Sequence, residues 1–494
     1  MLAMAAFALL GFLLPTLSRA SLTDRSHTSS NATLACSDAQ VALGAGSVDT
    51  APVSPTLVDL NWSETCWTEP ACVIKPKSTK NVAATLSIVS RYQVKFAVRS
   101  GGHSPNPGWS SISSDGILID LSRLDQITVS SDNTTVSVGP GQRWGNVLAA
   151  LDPYGVSVIG GRTPTVGVGG LVLGGGYFHF SGEHGLAADN VKNFEIVLGN
   201  GTITNANAKA NSDLFWALKG GGPNFGIVTR FNLYTIPVHD IYYDLVLYSA
   251  DQIPGLLDAF ASWQNGSGGV FDVKGTVAMI VGLEYATVGF IYSSPQTKRP
   301  AAFDAFAGIP VMTVVIPPSN GTVWSLTQII GAATASAVER HDYLAAASQV
   351  DGRLYNRVYN FWKERAADVY AKTGANQTFV IQPVPLNLVQ QGIAKGGNAL
   401  GLPLKNMQWW TTLVDWQNAA DDDTARSVSI ATSEEWKKGS DINFLYMNDC
   451  ARDQNPLAGY GRENIAKLKA VSRKYDRGQV FQRLQNDGFL LRKV

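Results

Sequence analysis

Three glycine-rich stretches constrain this chain more than any other feature. The first is Arg99-Ser100-Gly101-Gly102-His103-Ser104. The second runs from Gly160-Gly161-Arg162-Thr163-Pro164-Thr165 through Gly167, Gly169 and Gly170 to Gly174-Gly175-Gly176. The third is Gly220-Gly221-Gly222-Pro223-Asn224-Phe225-Gly226. Of 48 glycines, 24 fall between Gly101 and Gly226. Glycine accepts positive φ and lets main-chain N–H groups close on a ligand. Successive inward N–H groups make a concavity for anions. Three such loops suit an extended dinucleotide with its pyrophosphate. The other reading is a set of tight turns in a β-rich region, and composition does not separate the two.

The common glycine signatures fail on spacing. Counting G-x-G-x-x-G from Gly167 puts Val172 at the last position, so the dinucleotide fingerprint of the Rossmann fold is missing. No G-x-x-x-x-G-K-S/T loop is present, nor a G-x-S-x-G elbow. His179 and His184 stand five apart, wrong for one helix face, and no metal set is expected. Lys plus Arg and Asp plus Glu are both 39, so the net charge is zero, and no basic run offers a nucleic-acid footprint. With 45% hydrophobic and 16% charged residues, the 494-residue chain can bury a large core.

The N-terminal residues bear on the compartment. Residues 1–20 carry a short apolar run around Leu9–Leu14 that closes on Ser18-Arg19-Ala20, a signal-peptide pattern. A buried N-terminal helix is the alternative, since the run has no preceding Lys or Arg. No other stretch is apolar enough for a membrane span, which predicts a secreted or vesicle-lumen protein without one. Seven N-x-S/T sequons agree: Asn31, Asn61, Asn133, Asn200, Asn265, Asn320 and Asn376. Four cysteines, Cys36, Cys66, Cys72 and Cys450, are too few for a disulfide scaffold.

Along the chain, residues 21–60 read as an irregular lead-in. Strands are expected at Val94–Val98, Ile117–Leu121, Thr135–Val138 and Ile227–Tyr234, with a hairpin around Gly199-Asn200-Gly201. Helices are expected at Trp144–Leu151 and Asp213–Lys219. Beyond Pro237 come longer strand patterns, Tyr242–Tyr248, Thr276–Glu284, Ala286–Tyr292 and Gln408–Asp415. Between them lie the helical patterns Ile253–Trp263 and Val358–Tyr370, and Ile465–Tyr475 is an amphipathic helix. The pattern is α+β in two units, the second inserted into the first. Ligands favour the seam between such units.

The ordered motifs RSGGHS (99–104), ILIDLSRL (117–124), PTVGVGGLVLGGG (164–176), GLAADNV (185–191) and WALKGGGPNFGIVT (216–229) carry a resemblance. With Ala71-Cys72-Val73-Ile74-Lys75-Pro76 and Tyr446-Met447-Asn448, they resemble the FAD-linked oxidases of the vanillyl-alcohol oxidase and p-cresol methylhydroxylase (PCMH) superfamily. The berberine bridge enzyme-like branch, in its fungal secondary-metabolism members, is the nearer likeness. It implies a PCMH-type FAD-binding domain at 61–240, a substrate domain on a large antiparallel sheet at 241–440, and a return at 441–494.

The resemblance also implies roles. His103 forms a covalent bond to the 8α-methyl of FAD, and neutral imidazole is a competent nucleophile. Where relatives place a second, cysteinyl link, this chain has Thr163, which predicts a single link, a lower flavin potential and a more open pocket. Ser100, Gly101, Gly102 and Ser104 are expected at the pyrophosphate or ribityl chain, joined by Gly167, Gly169, Gly170 and Gly174. Ile227 and Val228 are expected to present main chain to the cofactor. Cys36 pairs with Cys72 by the same resemblance. Tyr446 and Asn448 fill a Y-x-N motif and are the candidate catalytic residues. The following residue, however, is Asp449 where the family often has Tyr, and Tyr446 reads equally as packing. Trp409 and Trp410 read as pocket lining or as core.

The implied activity is a secreted oxidase. A small organic substrate, a secondary metabolite or alcohol, gives a hydride to flavin and a proton to a base, and dioxygen reoxidises the flavin to give hydrogen peroxide. A flavin-bearing cyclase with little net redox, or a non-enzymatic binding protein on the same fold, are the alternatives. Oligomeric state is unreadable.

Overall fold

The computed structural model describes residues 30–265, 269–333 and 340–494. The signal-peptide pattern at 1–20 lies outside them. Three sheets organise the chain. A four-stranded sheet has the order Val48–Thr50, Cys72–Ile74, Gly116–Asp120, Lys95–Arg99. Its last three strands are parallel, buried on both faces and accordingly aliphatic. A five-stranded antiparallel sheet follows: Ile127–Val129, Thr135–Val138, Ile227–Tyr234, Val191–Val197, Ile203–Asn207.

From residue 30 on, the lead-in is not irregular. Asn31–Leu43 is a helix, begun by the Ser30 side chain accepting from Thr33 N. Its buried face is Ala32, Ala35, Cys36 and Ala39, residues small enough to lie close to the first sheet. Cys36 is disulfide-bonded to Cys72 on the adjacent strand. A second helix, Thr79–Tyr92, capped by Ser78, buries Val82, Leu86 and Val89.

The eight-stranded sheet is built wholly from strands between Asp240 and Trp416. Its order is Thr313–Thr322, Asp240–Ser249, Tyr285–Tyr292, Gly275–Val281, Phe379–Val384, Met407–Trp416, Arg340–Gln349, with Asn376–Gln377 pairing Met407–Trp416. Alternation along Met407–Trp416 divides its aromatic residues. Trp410, Val414 and Trp416 join Trp362, Phe379 and Trp436 in the core under the helices Ile253–Gln264, Gly352–Thr373 and Asp422–Gly439. The opposite face, with Trp409, Thr411 and Leu413, turns toward the glycine loops.

The chain then returns. The helix Arg462–Tyr475 leads to a tail that extends the four-stranded sheet: Phe96 N donates to Leu484 O at 3.0 Å, and Asn486 N to Phe96 O at 2.8 Å. Among the described residues no helix is long and apolar enough to cross a membrane, and no group of His, Cys, Asp or Glu is placed to hold a metal.

Candidate functional site

The three glycine stretches converge because their main chains touch. A Cβ on Gly101 would stand 2.4 Å from Gly167 Cα, so neither loop tolerates a side chain at that crossing. Ser100 Oγ ties the same loops together, donating to Pro140 O at 2.5 Å and accepting from Gly169 N at 3.2 Å. Beneath them, Arg99 and Asp120 form a buried ion pair at 2.6 Å, held by neighbouring parallel strands. The third stretch is tied to the second by Gly222 N donating to Leu173 O at 3.0 Å.

Between these loops and the inner face of the large sheet lies a cavity of about 490 Å³. Ser100, Gly101, Gly102, His103, Ser104, Gly167, Gly169, Gly170, Gly174, Ile227, Val228, Tyr446 and Asn448 all border it. The cradle fits an extended dinucleotide. Main chain at glycine forms one wall, while Ile227, Val228, Phe231 and Phe489 give an apolar end. A Cβ on Gly170 would meet nothing within 4 Å, which leaves its side of the wall open.

His103 is half-buried at the cavity wall, its Nε2 3.1 Å from Thr165 Oγ1. Burial, reinforced by the nearby Arg143 guanidinium, brings its imidazole down to about 3, so the ring is neutral at ordinary pH. Thr163 also borders the cavity.

Tyr446 requires correction as a base. Its hydroxyl oxygen accepts from Gly176 N at 3.0 Å, Tyr177 N at 2.9 Å and Asn448 Nδ2 at 3.0 Å. Trp409 stacks on the ring at 4.4 Å and 11°. Burial pushes the phenol above its ordinary value despite these donors. The side chain pins the turn at Gly176 and Tyr177. Asn448 likewise reaches Leu171 O at 3.0 Å, and it fits only because Gly174 has no side chain: a Cβ there would lie 2.0 Å from Asn448 Oδ1. Neither Trp409 nor Trp410 borders the cavity: one backs Tyr446, the other is core.

The residue after Asn448 is a second ionisable group at the cavity. Asp449 borders the cavity, and one carboxylate oxygen accepts from Gln382 Nε2 at 2.7 Å. Gln382 Oε1 in turn accepts from Arg162 Nη2 at 2.5 Å. Three distant segments meet in this chain of contacts: the second glycine stretch, the inserted sheet and the C-terminal return. Burial raises the Asp449 carboxyl, opposed by Arg162 and Gln382. Tyr177, its phenol donating to Pro383 O at 2.7 Å, is pushed up to about 12 by burial and carries the Arg162 guanidinium 5.0 Å from its ring centre. Tyr343, Val380, Thr411 and Leu413 complete the sheet side.

Asn61 is a second correction. It is 2% exposed, and its amide nitrogen donates to Cys66 O and Ser110 O at 3.2 and 3.3 Å. The folded chain offers no access for a glycan there. Asn31, Asn200, Asn265, Asn320 and Asn376 are exposed, and Asn133 is half-buried.

A family described as FAD binding domain matches residues 70–207. An FAD-dependent monooxygenase of Arthrobotrys oligospora is 41% identical over 440 residues, 88% of this chain and 84% of the relative. The bifunctional solanapyrone synthase of Alternaria solani is 32% identical over 437 residues, 87% and 83%. The berberine bridge enzyme of Eschscholzia californica superposes with a TM-score of 0.76 at 16% identity, covering 91% of this chain and 98% of that one. Fold, glycine cradle and these likenesses together define an FAD-dependent oxidoreductase. The chain belongs to the family of these fungal FAD-dependent enzymes, and its fold is that of the berberine bridge enzyme.

Proposed function

We propose that the protein is a secreted or vesicle-lumen oxidase that holds FAD by a single covalent bond to His103 and oxidises a small alcohol-type metabolite, with dioxygen reduced to hydrogen peroxide. One observation carries the reading. A neutral imidazole and a half-buried carboxylate border one cavity, on the glycine-loop side and near the sheet side respectively. Bound FAD supplies the two-electron acceptor.

Asp449 takes the substrate hydroxyl proton. Its Oδ2 is held by Gln382, and its other oxygen has no hydrogen-bond partner among the described residues. Arg162 balances the charge through Gln382 and orients the amide. A carboxyl raised by burial is better matched to an alcohol proton than an ordinary one. The sheet face of Val380, Thr411 and Leu413 excludes water from the reacting end. The Cys36–Cys72 disulfide and the exposed sequons support an oxidising, glycosylating compartment.

A second reading is favoured by the names of the relatives, one a monooxygenase and one a bifunctional synthase. Oxygen bookkeeping separates them. The purified holoprotein is screened with primary and benzylic alcohols in an oxygen electrode. One peroxide per oxygen consumed, with no label from ¹⁸O₂ in product, is the oxidase outcome. Label in the product, or ring closure without oxygen uptake, overturns it.

A further inference from the structure

The indole of Trp62 is the middle ring of a three-ring stack. On one face lies the His103 imidazole, centroids 4.5 Å apart and 16° from parallel. On the other lies His341, 4.1 Å away and 3° from parallel. The rings come from three places: the segment before Cys72–Ile74, the first glycine loop and the edge strand Arg340–Gln349 of the inserted unit.

Separate bonds fix each member. Trp62 N donates to Gly102 O at 2.9 Å, tying the indole to the residue before His103. His341 Nδ1 lies 2.6 Å from Asp415 Oδ1, on the neighbouring strand. The main-chain N of His341 donates to Ser63 Oγ at 2.9 Å, and Ser63 Oγ donates to His341 O at 3.0 Å. Arg340 adds an ion pair to Glu64 at 3.1 Å. Residues 62–64 are thereby clasped to the inserted sheet, while Trp62 and His103 both border the cavity.

A histidine preceded by two glycines has little of its own to hold its ring plane. Its nitrogen lone pair lies in that plane, and attack on a carbon tolerates only a narrow range of direction. The Thr165 hydroxyl holds one edge of the ring; a parallel indole face fixes its plane, and a second imidazole behind the indole stops it from tilting.

We propose that Trp62, backed by the His341–Asp415 pair, is a positioning residue for covalent capture of FAD by His103, so that the inserted unit takes part in attaching a cofactor held by the other unit. This rests on the His103 linkage of the proposed function. In the capture, a C–H bond of the flavin 8α-methyl and the imidazole N–H bond break, and one C–N bond forms. The two electrons left over remain on the flavin with two protons, and dioxygen removes both pairs as hydrogen peroxide. Burial keeps His103 neutral, so its lone pair is available for the bond.

The test uses the full chain incubated with FAD. Flavin is measured in the acid-precipitated pellet and in the supernatant, and the linkage is checked by intact mass. Wild type carries its flavin in the pellet. Trp62→Leu is expected to bind FAD noncovalently and to lose about tenfold or more of the capture rate. Trp62→Phe keeps a ring to stack on and recovers most of the rate. His341→Gln slows capture while the noncovalent FAD load is unchanged. Wild-type capture rates in both Trp62→Leu and His341→Gln overturn the proposal. Should Trp62→Leu hold no FAD, His341→Gln alone decides: slowed capture supports the positioning role and an unchanged rate overturns it. A wild-type protein that releases its flavin, or a His103→Ala protein that keeps it in the pellet, sinks the linkage itself and the positioning role with it.

Discussion

At Asp449 the chemistry of a single residue depends on partners more than 60 positions away in sequence. Gln382 and Arg162 give the carboxylate one fixed oxygen and a compensating charge. With Asp449 as the proposed proton acceptor, Asp449→Asn is expected to lose about 10²–10⁴-fold in the rate of flavin reduction while keeping its flavin. Wild type should show an acidic limb, with reduction rising as pH rises through a carboxyl lying above its ordinary range. The groups coupled to it by charge are Arg162, Tyr343, Tyr446 and Cys450. The limb should vanish in Asp449→Asn and survive in Tyr446→Phe. Stopped-flow reduction across pH with an alcohol from the screen checks both. The glycines make a different residue-scale prediction. Gly101→Ala drives a methyl into Gly167 main chain at 2.4 Å, which cannot move aside as a side chain could. Overpacking of this kind costs about 1–3 kcal/mol, so a thermal melt should shift down by several degrees and FAD retention should fall. That His103 and these glycines meet at one cavity was legible because each sits inside a local motif. Asp449, Gln382 and Trp62 were not. Their meaning arises only where separate segments meet, and Trp62 reads in sequence merely as the middle of a sequon.

The elements show the same division. Trp144–Leu151, Thr135–Val138 and Ile227–Tyr234 are where hydrophobic periodicity and turn residues place them, because local signals suffice. The helix Asn31–Leu43 escaped a reading by composition. Its buried side is alanine and cysteine, which leaves almost no apolar stripe to detect. The strand Arg340–Gln349 is equally faint: its polar residues Arg340, His341 and Asp342 are buried by partners from other segments. That helix is held by more than packing. Cys36 and Cys72 are 36 residues apart, and closing a loop of that size contributes roughly 3–4 kcal/mol through the unfolded chain. It is the only disulfide among the described residues. Cys36→Ser should therefore melt lower, and reducing agent should lower wild type to the variant's midpoint while leaving the variant unchanged. A further drop of the variant in reductant would show that another bridge matters.

For the whole molecule, the arrangement of two units around one cleft explains why one sequon, Asn61, is closed to modification while the others lie open or half-open. Sequence alone gives residues 61–67 a glycan acceptor at Asn61. They instead fill the seam: Asn61 anchors Cys66 and Ser110, Trp67 Nε1 donates to Asn61 O at 2.9 Å, and Ser63 is bonded to the inserted sheet. A glycan at Asn61 would have to be added before folding and would displace its amide from Cys66 O and Ser110 O. Sequons away from the seam meet no such barrier. Asn200 sits at the tip of the Val191–Val197 and Ile203–Asn207 hairpin, and Asn31 and Asn376 are also exposed. Asn320 is exposed too, but its side chain is engaged at both ends, accepting from Gln296 N at 2.9 Å and donating to Gln296 O at 3.0 Å. Expression through a secretory pathway, followed by enzymatic deglycosylation in H₂¹⁸O and peptide mass spectrometry, gives the occupancy of each site. Label is expected at Asn200 and Asn376, with Asn320 lower, and none at Asn61. Full occupancy of Asn61 in a protein that still binds FAD would mean that the 61–67 segment is not packed at the seam as described. The stack through Trp62 would then have to be abandoned with it, because Asn61 and Trp62 are placed by the same turn of chain.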